Sequence, residues 1–443
     1  MEKKIEVVSM ELITPLFPTP NHLRCFEFSF LDQMAIPTVF APLVLFYPPP
    51  SSNGDESYSN LEQARVILNS SRLLVLKKSL SEILARFYPF AGRIKNNSIE
   101  CNDDGMPFYE AFARNYQFED VLQNPDVAKH FFPIVEGSSI LHNPLHVQVT
   151  MFECGGMAIG MCASHKIADG ATLCTFANAW AIAARGSSPD CMVPEFIAAA
   201  KFLPPPIPYV SNGPNYKWMF EFAKCFLNDE RVTKLFAFDA STIASLKAKV
   251  VCNSVQVPTR VEVVSAVLWK CAMAASGLDR RSSKLIHNVN IRRRFVPPLP
   301  DHCIGNAVAV AVATACNHDD TELSTLVTRI RKSLSELSSK YEDKQSRDQA
   351  ILSLLYEYIE LPEAHIRGEI ALQISSLCGY KFYDIDFGWG KPSWFSVIQT
   401  ATRNLVVLMD SRDSGGIDAW ICLKDKDIMS VFEHELKALL AFN

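Results

Sequence analysis

Between Lys201 and Lys217 the chain reads KFLPPPIPYVSNGPNYK, with Pro204, Pro205, Pro206, Pro208, Pro214 and Gly213 inside seventeen residues. Proline gives no backbone N–H and fixes φ, so neither a helix nor a central strand can run through such a stretch. It parts the 443 residues into halves of about 200 and 226, each long enough for a core of its own. The expected organisation is a domain over residues 1–203, a linker over 204–217 and a second domain over 218–443. A long surface loop within one domain is the alternative.

Both halves mix helices and strands. Leu73, Leu76, Leu80, Ile83, Leu84 and Phe87 recur at helical spacing, and Pro89 stops the run. Leu323, Leu326, Ile330, Leu334 and Leu337 mark a second helix, and Ile428, Met429, Phe432, Leu436, Leu439 and Leu440 a third. Thr259-Arg260-Val261-Glu262 has capping-box spacing, and the apolar run behind it to about Ala275 reads as a buried helix. Strands are expected at 42–47, 146–152, 157–164, 306–315, 404–409 and 417–423. The AVAVAVA stretch within 306–315 is apolar on both faces, the pattern of a central strand covered above and below. The class is therefore α/β with mixed sheets.

Composition closes off several functions. With 48% hydrophobic and 21% charged residues the chain can bury a core, and a net charge of −5 leaves no general basic field for a nucleic acid. No apolar run approaches the roughly 20 residues that span a bilayer, and the N-terminal residues lack the apolar stretch of a secretory signal. The thirteen cysteines contain no CxxC pair, which argues against zinc ribbons and thiol–disulfide sites. Reduced packing cysteines in the cytosol are the expectation.

The chemistry concentrates in HVQVTMFECGGMAIGMCASHKIADGATLCTFANAWAIAAR, from His146 to Arg185. His165 ends a strand, Asp169-Gly170 follows, and Ala171–Ala184 reads as a helix. A neutral imidazole can take a proton from a hydroxyl near neutral pH, and such a base contributes roughly 10²–10⁴-fold. From spacing alone Asp169 could form a dyad with His165 or turn away and anchor the loop, and a satisfied core histidine is a third reading. Rival chemistries lack their signals. There is no GxSxG elbow and no phosphate-binding GxxxxGK[ST] loop, and the Gly388/Gly390 run is broken by Pro392 and Ser393. Pro144 spoils a helical His142/His146 zinc pair, and alternation turns Cys162 to the opposite face from His165.

Two motifs carry a resemblance. HKIADG at His165–Gly170 matches the HxxxDG signature of the plant BAHD acyltransferases, and DFGWGKP at Asp386–Pro392, about 220 residues on, matches their second signature. PTP at Pro18–Pro20, LDQ at Leu31–Gln33, YPFAGR at Tyr88–Arg93, NIR at Asn290–Arg292 and GN at Gly305-Asn306 extend the likeness nearly end to end. The wording resembles most the branch that takes acetyl-CoA as donor.

The resemblance implies two similar α/β domains, with mixed sheets flanked by helices in the manner of chloramphenicol acetyltransferase, and an active-site channel at the domain interface. His165 would deprotonate an acceptor hydroxyl that attacks the thioester in a ternary complex. Asp169 would point away and pair with Arg292. Asp386, Gly388 and Trp389 would shape the second domain and the CoA side of the channel. Thr259, Lys247 and Asn306 would fall where the family holds CoA, although a solvated helix face is the other reading for the lysine. Ser375 and Leu377 would line the acceptor pocket, where the family's S/T-S-W-x-R reads SSLCG here. Leu377 and Gly379 in place of tryptophan and arginine imply a roomier, more apolar pocket. The implied enzyme is a cytoplasmic monomer with no metal and no resident cofactor. It would use acetyl-CoA as co-substrate and an apolar terpenoid or alkaloid alcohol as acceptor. A lapsed, metabolite-binding relative is the competing class.

Overall fold

The structure is a computed structural model describing residues 4–35, 39–50, 58–133, 142–187, 193–196, 231–277, 282–315, 321–341, 369–397, 404–412 and 415–441, with backbone alone at 58–69 and 370–371. The proline-rich linker lies outside the described residues. The strands begin with β1 (Lys4–Ile13), β2 (Cys25–Glu27), β3 (Phe40–Tyr47), β4 (Arg93–Lys95), β5 (Ser98–Glu100), β6 (Met106–Arg114), β7 (Leu145–Phe152) and β8 (Met157–Ser164). They continue with β9 (Val232–Phe238), β10 (Ser283–Asn290), β11 (Val308–Ala315), β12 (Ile370–Ser376), β13 (Trp394–Ser396), β14 (Leu405–Asp410) and β15 (Ile417–Leu423). The helices are α1 (Phe30–Met34), α2 (Tyr58–Leu84), α3 (Phe118–Gln123), α4 (Gly170–Ala184), α5 (Ala240–Val250), α6 (Arg260–Ser276), α7 (Leu323–Ser339) and α8 (Lys426–Ala441).

The chain folds as two compact units that are not continuous in sequence. The first comprises residues 1–213, 300–306 and 380–399, and the second residues 214–299, 307–379 and 400–443. This corrects the expected boundaries. The DFGWG segment, assigned from sequence to a domain over 218–443, belongs to the first unit. There β13 pairs antiparallel with β3, Trp394 opposite Phe46 and Ser396 opposite Val44. Backbone pairing captures the segment whatever its distance along the chain, and sequence position does not show that.

The first unit holds a mixed sheet in the order β1-β6-β7-β8-β3-β13, parallel only between β6 and β7, with β2, β5 and β4 in a small second sheet. Strands β7 and β8 are buried along their whole length. Helix α4 buries Leu173, Phe176, Ala177 and Trp180, and Trp180 hydrogen-bonds to Leu76 and Ser79 of α2 through its indole N–H. A fully buried aromatic of this size contributes on the order of 3 kcal/mol through area alone.

The second unit holds a mixed sheet in the order β11-β10-β12-β14-β15-β9, with parallel pairs β10/β12 and β12/β14. One face packs Leu285, Leu372, Ile374, Val406, Leu408, Ala419 and Ile421 with α5, α6, α7 and α8 in a single core. The expected β11 forms but ends the sheet among the described residues, and Val312 is 37% exposed. The AVAVAVA pattern had implied a central strand. Small alanines and valines satisfy an edge position as readily, so the pattern alone does not fix strand order. The other expected strands and helices form within two residues of their boundaries, except that α2 extends back to Tyr58 and ends at Leu84, three residues before Phe87.

Candidate active site

Strand β8 carries the chain to Ser164, and the backbone then turns. Ile167 and Ala168 both donate their N–H to the Ser164 carbonyl at 3.1 Å. His165 sits at the start of that turn, partly exposed, with its own N–H on the Val39 carbonyl at 3.0 Å. Burial pushes its imidazole below the ordinary histidine value, against the opposing pull of the Asp169 charge and of hydrogen bonds with Asn306 and Ala168. The ring is therefore neutral at neutral pH, which is the state a general base needs.

Asp169 has extended backbone and is the N-cap of α4, its Oδ1 accepting from Thr172 N at 2.9 Å. Of the readings left open by spacing, the structure shows the carboxylate anchoring the helix start. Such a cap is worth about 1 kcal/mol.

The segment 300–306 locks this turn from outside. Ala168 and Gly305 form a parallel bridge, and the Thr172 hydroxyl donates to Gly305 O at 3.0 Å while accepting from Gly305 N at 3.1 Å. Asn306 donates from Nδ2 to the His165 carbonyl at 2.6 Å and to Asp32 Oδ1 at 2.8 Å, and its backbone N–H reaches the same oxygen at 2.6 Å. Asp32 Oδ2 in turn accepts from Ser29 N at 3.0 Å and Ser29 Oγ at 2.7 Å, in a capping box that starts α1. Burial raises the Asp32 carboxyl above its usual range despite these four bonds. Lys166, also buried, donates to Gln33 O at 2.9 Å, and burial brings its ammonium down to about 8 against the pull of Asp32.

Asn306 was expected to hold CoA. Both of its amide hydrogens are committed to the His165 turn and Asp32, so its place in the structure is that of a clamp. Asp32, Lys166 and Thr172 were not singled out from sequence. The signal for Asp32 was present, because Ser29 followed three residues later by Asp32 has capping-box spacing. Gly305 is bound to this arrangement by shape. Its φ is +113°, and a Cβ there would meet both Asp32 carboxylate oxygens at 3.3 Å.

DFGWG lies in the same unit but away from His165. Asp386 Oδ1 accepts from Gly388 N at 2.7 Å and Gly390 N at 3.0 Å, holding a loop in which both glycines have positive φ. Phe387 stacks on Trp389 and meets Trp180 edge-on at 4.9 Å, and Arg185 donates to the Asp386 carbonyl. Trp180 is eleven residues along α4 from Asp169, or about 16 Å at 1.5 Å per residue. The motif therefore braces the far part of the helix whose cap is Asp169.

The remaining expected residues belong to the second unit. Arg292 is buried after β10, its N–H on Asn290 Oδ1 at 3.0 Å. Thr259 caps α6, accepting from Glu262 N at 3.2 Å, while its own N–H donates to Glu262 Oε2 at 2.8 Å. That is the predicted capping box. Lys247 lies half-buried in the last turn of α5, where a cation suits the helix dipole. Ser375 is the last residue but one of β12, half-exposed, and Leu377 donates its N–H to Leu408 O at 2.7 Å. Gly379, in place of the family's arginine, has φ +88° and donates to Asp410 Oδ2 at 2.7 Å. That backbone conformation accounts for glycine there.

Comparison with known proteins agrees with this architecture. The Transferase family profile matches residues 3–439. An epi-neemfruitin B 7-O-acetyltransferase of Melia azedarach is 37% identical over 99% of this chain and 98% of its own. Vinorine synthase of Rauvolfia serpentina is 34% identical over 99% of both chains, and its crystal structure superposes with a TM-score of 0.79, at 32% identity, over 98% of each. The F. sporotrichioides TRI101 structure, complexed with coenzyme A and T-2, shares the fold at a TM-score of 0.69 and 15% identity, covering 93% of this chain and 97% of that one. The chain belongs to the Transferase family, the BAHD acyltransferases.

Proposed function

We propose that the chain transfers an acetyl group from acetyl-CoA to a hydroxyl of an apolar plant specialised metabolite, a terpenoid or alkaloid, with His165 as general base. The observation that carries this is the His165 turn: a partly exposed imidazole held neutral by burial, on a backbone clamped at its carbonyl by Asn306. Relatives named as O-acetyltransferases support acetyl as the group and oxygen as the acceptor atom. In this reading the imidazole takes the acceptor's proton as its oxygen attacks the thioester carbonyl. The tetrahedral intermediate then collapses with cleavage of the C–S bond, and the CoA thiolate recovers the proton from the imidazolium. A thioester is already activated, so a positioned base and a hydrogen-bond donor for the oxyanion suffice. The enzyme would act as a cytosolic monomer, where its cysteines stay reduced.

The test is incubation with acetyl-CoA and a panel of terpenoid and alkaloid alcohols, reading free thiol and acetylated product by mass spectrometry. His165→Ala should abolish product while leaving the melting temperature close to wild type, since the side chain fills no core. Thiol release unchanged in His165→Ala, or none from wild type with any alcohol, would refute the reading.

A further inference from the structure

The amide of Asn306 can stand in one orientation only. Its Nδ2 faces two acceptors, the His165 carbonyl at 2.6 Å and Asp32 Oδ1 at 2.8 Å, so both hydrogens are spent on them. The oxygen takes the remaining corner, and Oδ1 is what Asn306 offers its other neighbour, the His165 ring. An amide carries an N–H and its C=O side by side on one edge, so a single group can hold both the carbonyl and the ring of one residue.

The ring's second hydrogen-bond partner is the backbone of Ala168. The Ala168 N–H is given to Ser164 O at 3.1 Å, which leaves its carbonyl to meet the imidazole. Both contacts strengthen the ring's hold on a proton, as acceptors do. Asp169 acts on the ring by its charge, with Oδ1 on Thr172 N. The two acceptors are also tied to each other, because Ala168 bridges Gly305, the residue before Asn306. An acceptor can be met only by an N–H, and a neutral imidazole has one. Nδ1 is the ring nitrogen nearer the backbone. Both acceptors gather there: one lies three residues on in the same turn, and the other is anchored on the His165 carbonyl.

We propose that Asn306 and the Ala168 carbonyl are positioning groups, which keep the ring hydrogen of His165 on Nδ1 and present Nε2, unprotonated, to the acceptor hydroxyl. This rests on the acyl-transfer reading above, which supplies the hydroxyl; the tautomer itself follows from the turn. The stakes are large, since an imidazole base held in the wrong tautomer can lose about 10⁴-fold in kcat.

The first experiment needs no substrate. The full chain, carrying isotope-labelled histidine, is measured at neutral pH by long-range proton–nitrogen correlation, with the His165 signals identified by their absence from His165→Ala. Nδ1 should appear protonated and Nε2 bare; the reverse pattern, or an even mixture, overturns the proposal. The second uses acetyl-CoA and the panel alcohol turned over fastest. Asn306→Ala should lower kcat on the order of 100-fold, short of the full loss because the Ala168 carbonyl remains. It also removes an acceptor, so the acid limb of kcat/KM should move to lower pH. A turn that had merely loosened would let water reach the ring and move that limb up toward the ordinary value. A limb that rises or stays put therefore overturns the proposal, and if Asn306→Ala does not fold the wild-type spectrum decides alone. Wild type with the Nδ1–H ring but without His165-dependent transfer would instead overturn the acyl-transfer reading.

Discussion

Asp32→Ala isolates the clamp on His165. The carboxylate accepts four hydrogen bonds, and its removal strands three buried N–H groups: Ser29 N, Asn306 N and the Asn306 amide hydrogen not held by His165 O. Ser29 is 2% and Asn306 7% exposed, so water does not readily replace the lost acceptor. Each stranded group costs about 1–3 kcal/mol, for a gross loss of about 3–9. Removing a buried charge returns several kcal/mol of desolvation. A net destabilisation of roughly 2–4 kcal/mol follows, and at about 2–4 °C per kcal/mol the melting temperature should drop by about 5–15 °C. Activity should fall further than stability, because Asn306 loses two of its three anchors and a displacement near 1 Å can cost about 100-fold. Asp32→Asn is the finer probe. Its oxygen can keep both Asn306 bonds, while its amide turns a donor toward Ser29 N–H, so one N–H is stranded and the shift should be about half as large. Differential scanning fluorimetry and CoA thiol release, with KM for acetyl-CoA measured separately, check this. Asp32→Ala melting within 1 °C of wild type, with kcat within twofold, would refute the clamp.

Three further outcomes follow from the same geometry. Asp169→Ala removes the cap of α4, so it should cost about 1 kcal/mol and a few degrees of melting temperature; Asp169→Asn should restore the melting temperature, and an unshifted Asp169→Ala would show the cap to be idle. A base must be unprotonated to act, and His165 is shifted down, so activity should be full at high pH and lost as pH falls through a midpoint below the ordinary imidazole value of about 6.5. A kcat/KM profile with its acid limb centred above that value would contradict the burial argument. Gly160→Ala in β8 should fail to accumulate folded protein, because a Cβ there runs into the Phe131 carbonyl oxygen and backbone cannot rotate aside; far-UV dichroism and a wild-type melting curve for the purified variant would refute this.

Much of the secondary structure was legible because its determinants are local. Strand β8 and strand β15 match their expected spans, α7 and α8 follow from leucine periodicity, and the Thr259–Glu262 box starts α6 where its spacing places it. His165 at a strand end before a capped helix was legible for the same reason. The fine grain of the site was not. Asp32 and Asn306 stand 274 residues apart and are joined only by the fold, and neither carries a local pattern that points to His165. The AVAVAVA segment shows why strand order also escaped: hydrophobicity states that a residue is covered, not what covers it.

The sequence by itself determined the family, through His165, Asp169 and the distant DFGWG, and with it an α/β chain carrying a histidine in a strand–turn–helix. Only the tertiary structure decided what each motif does. The proline-rich segment suggested two consecutive halves, yet residues 300–306 and 380–399 return to the first unit. The first of these segments closes the His165 turn, and the second places Phe387 against Trp180. Local sequence sets φ, ψ and amphipathic faces over a few residues. Hydrogen bonds such as Asn306 to His165 and packing such as Phe387 on Trp180 form only once the backbone has returned through space, and that return is what fixes the candidate active site.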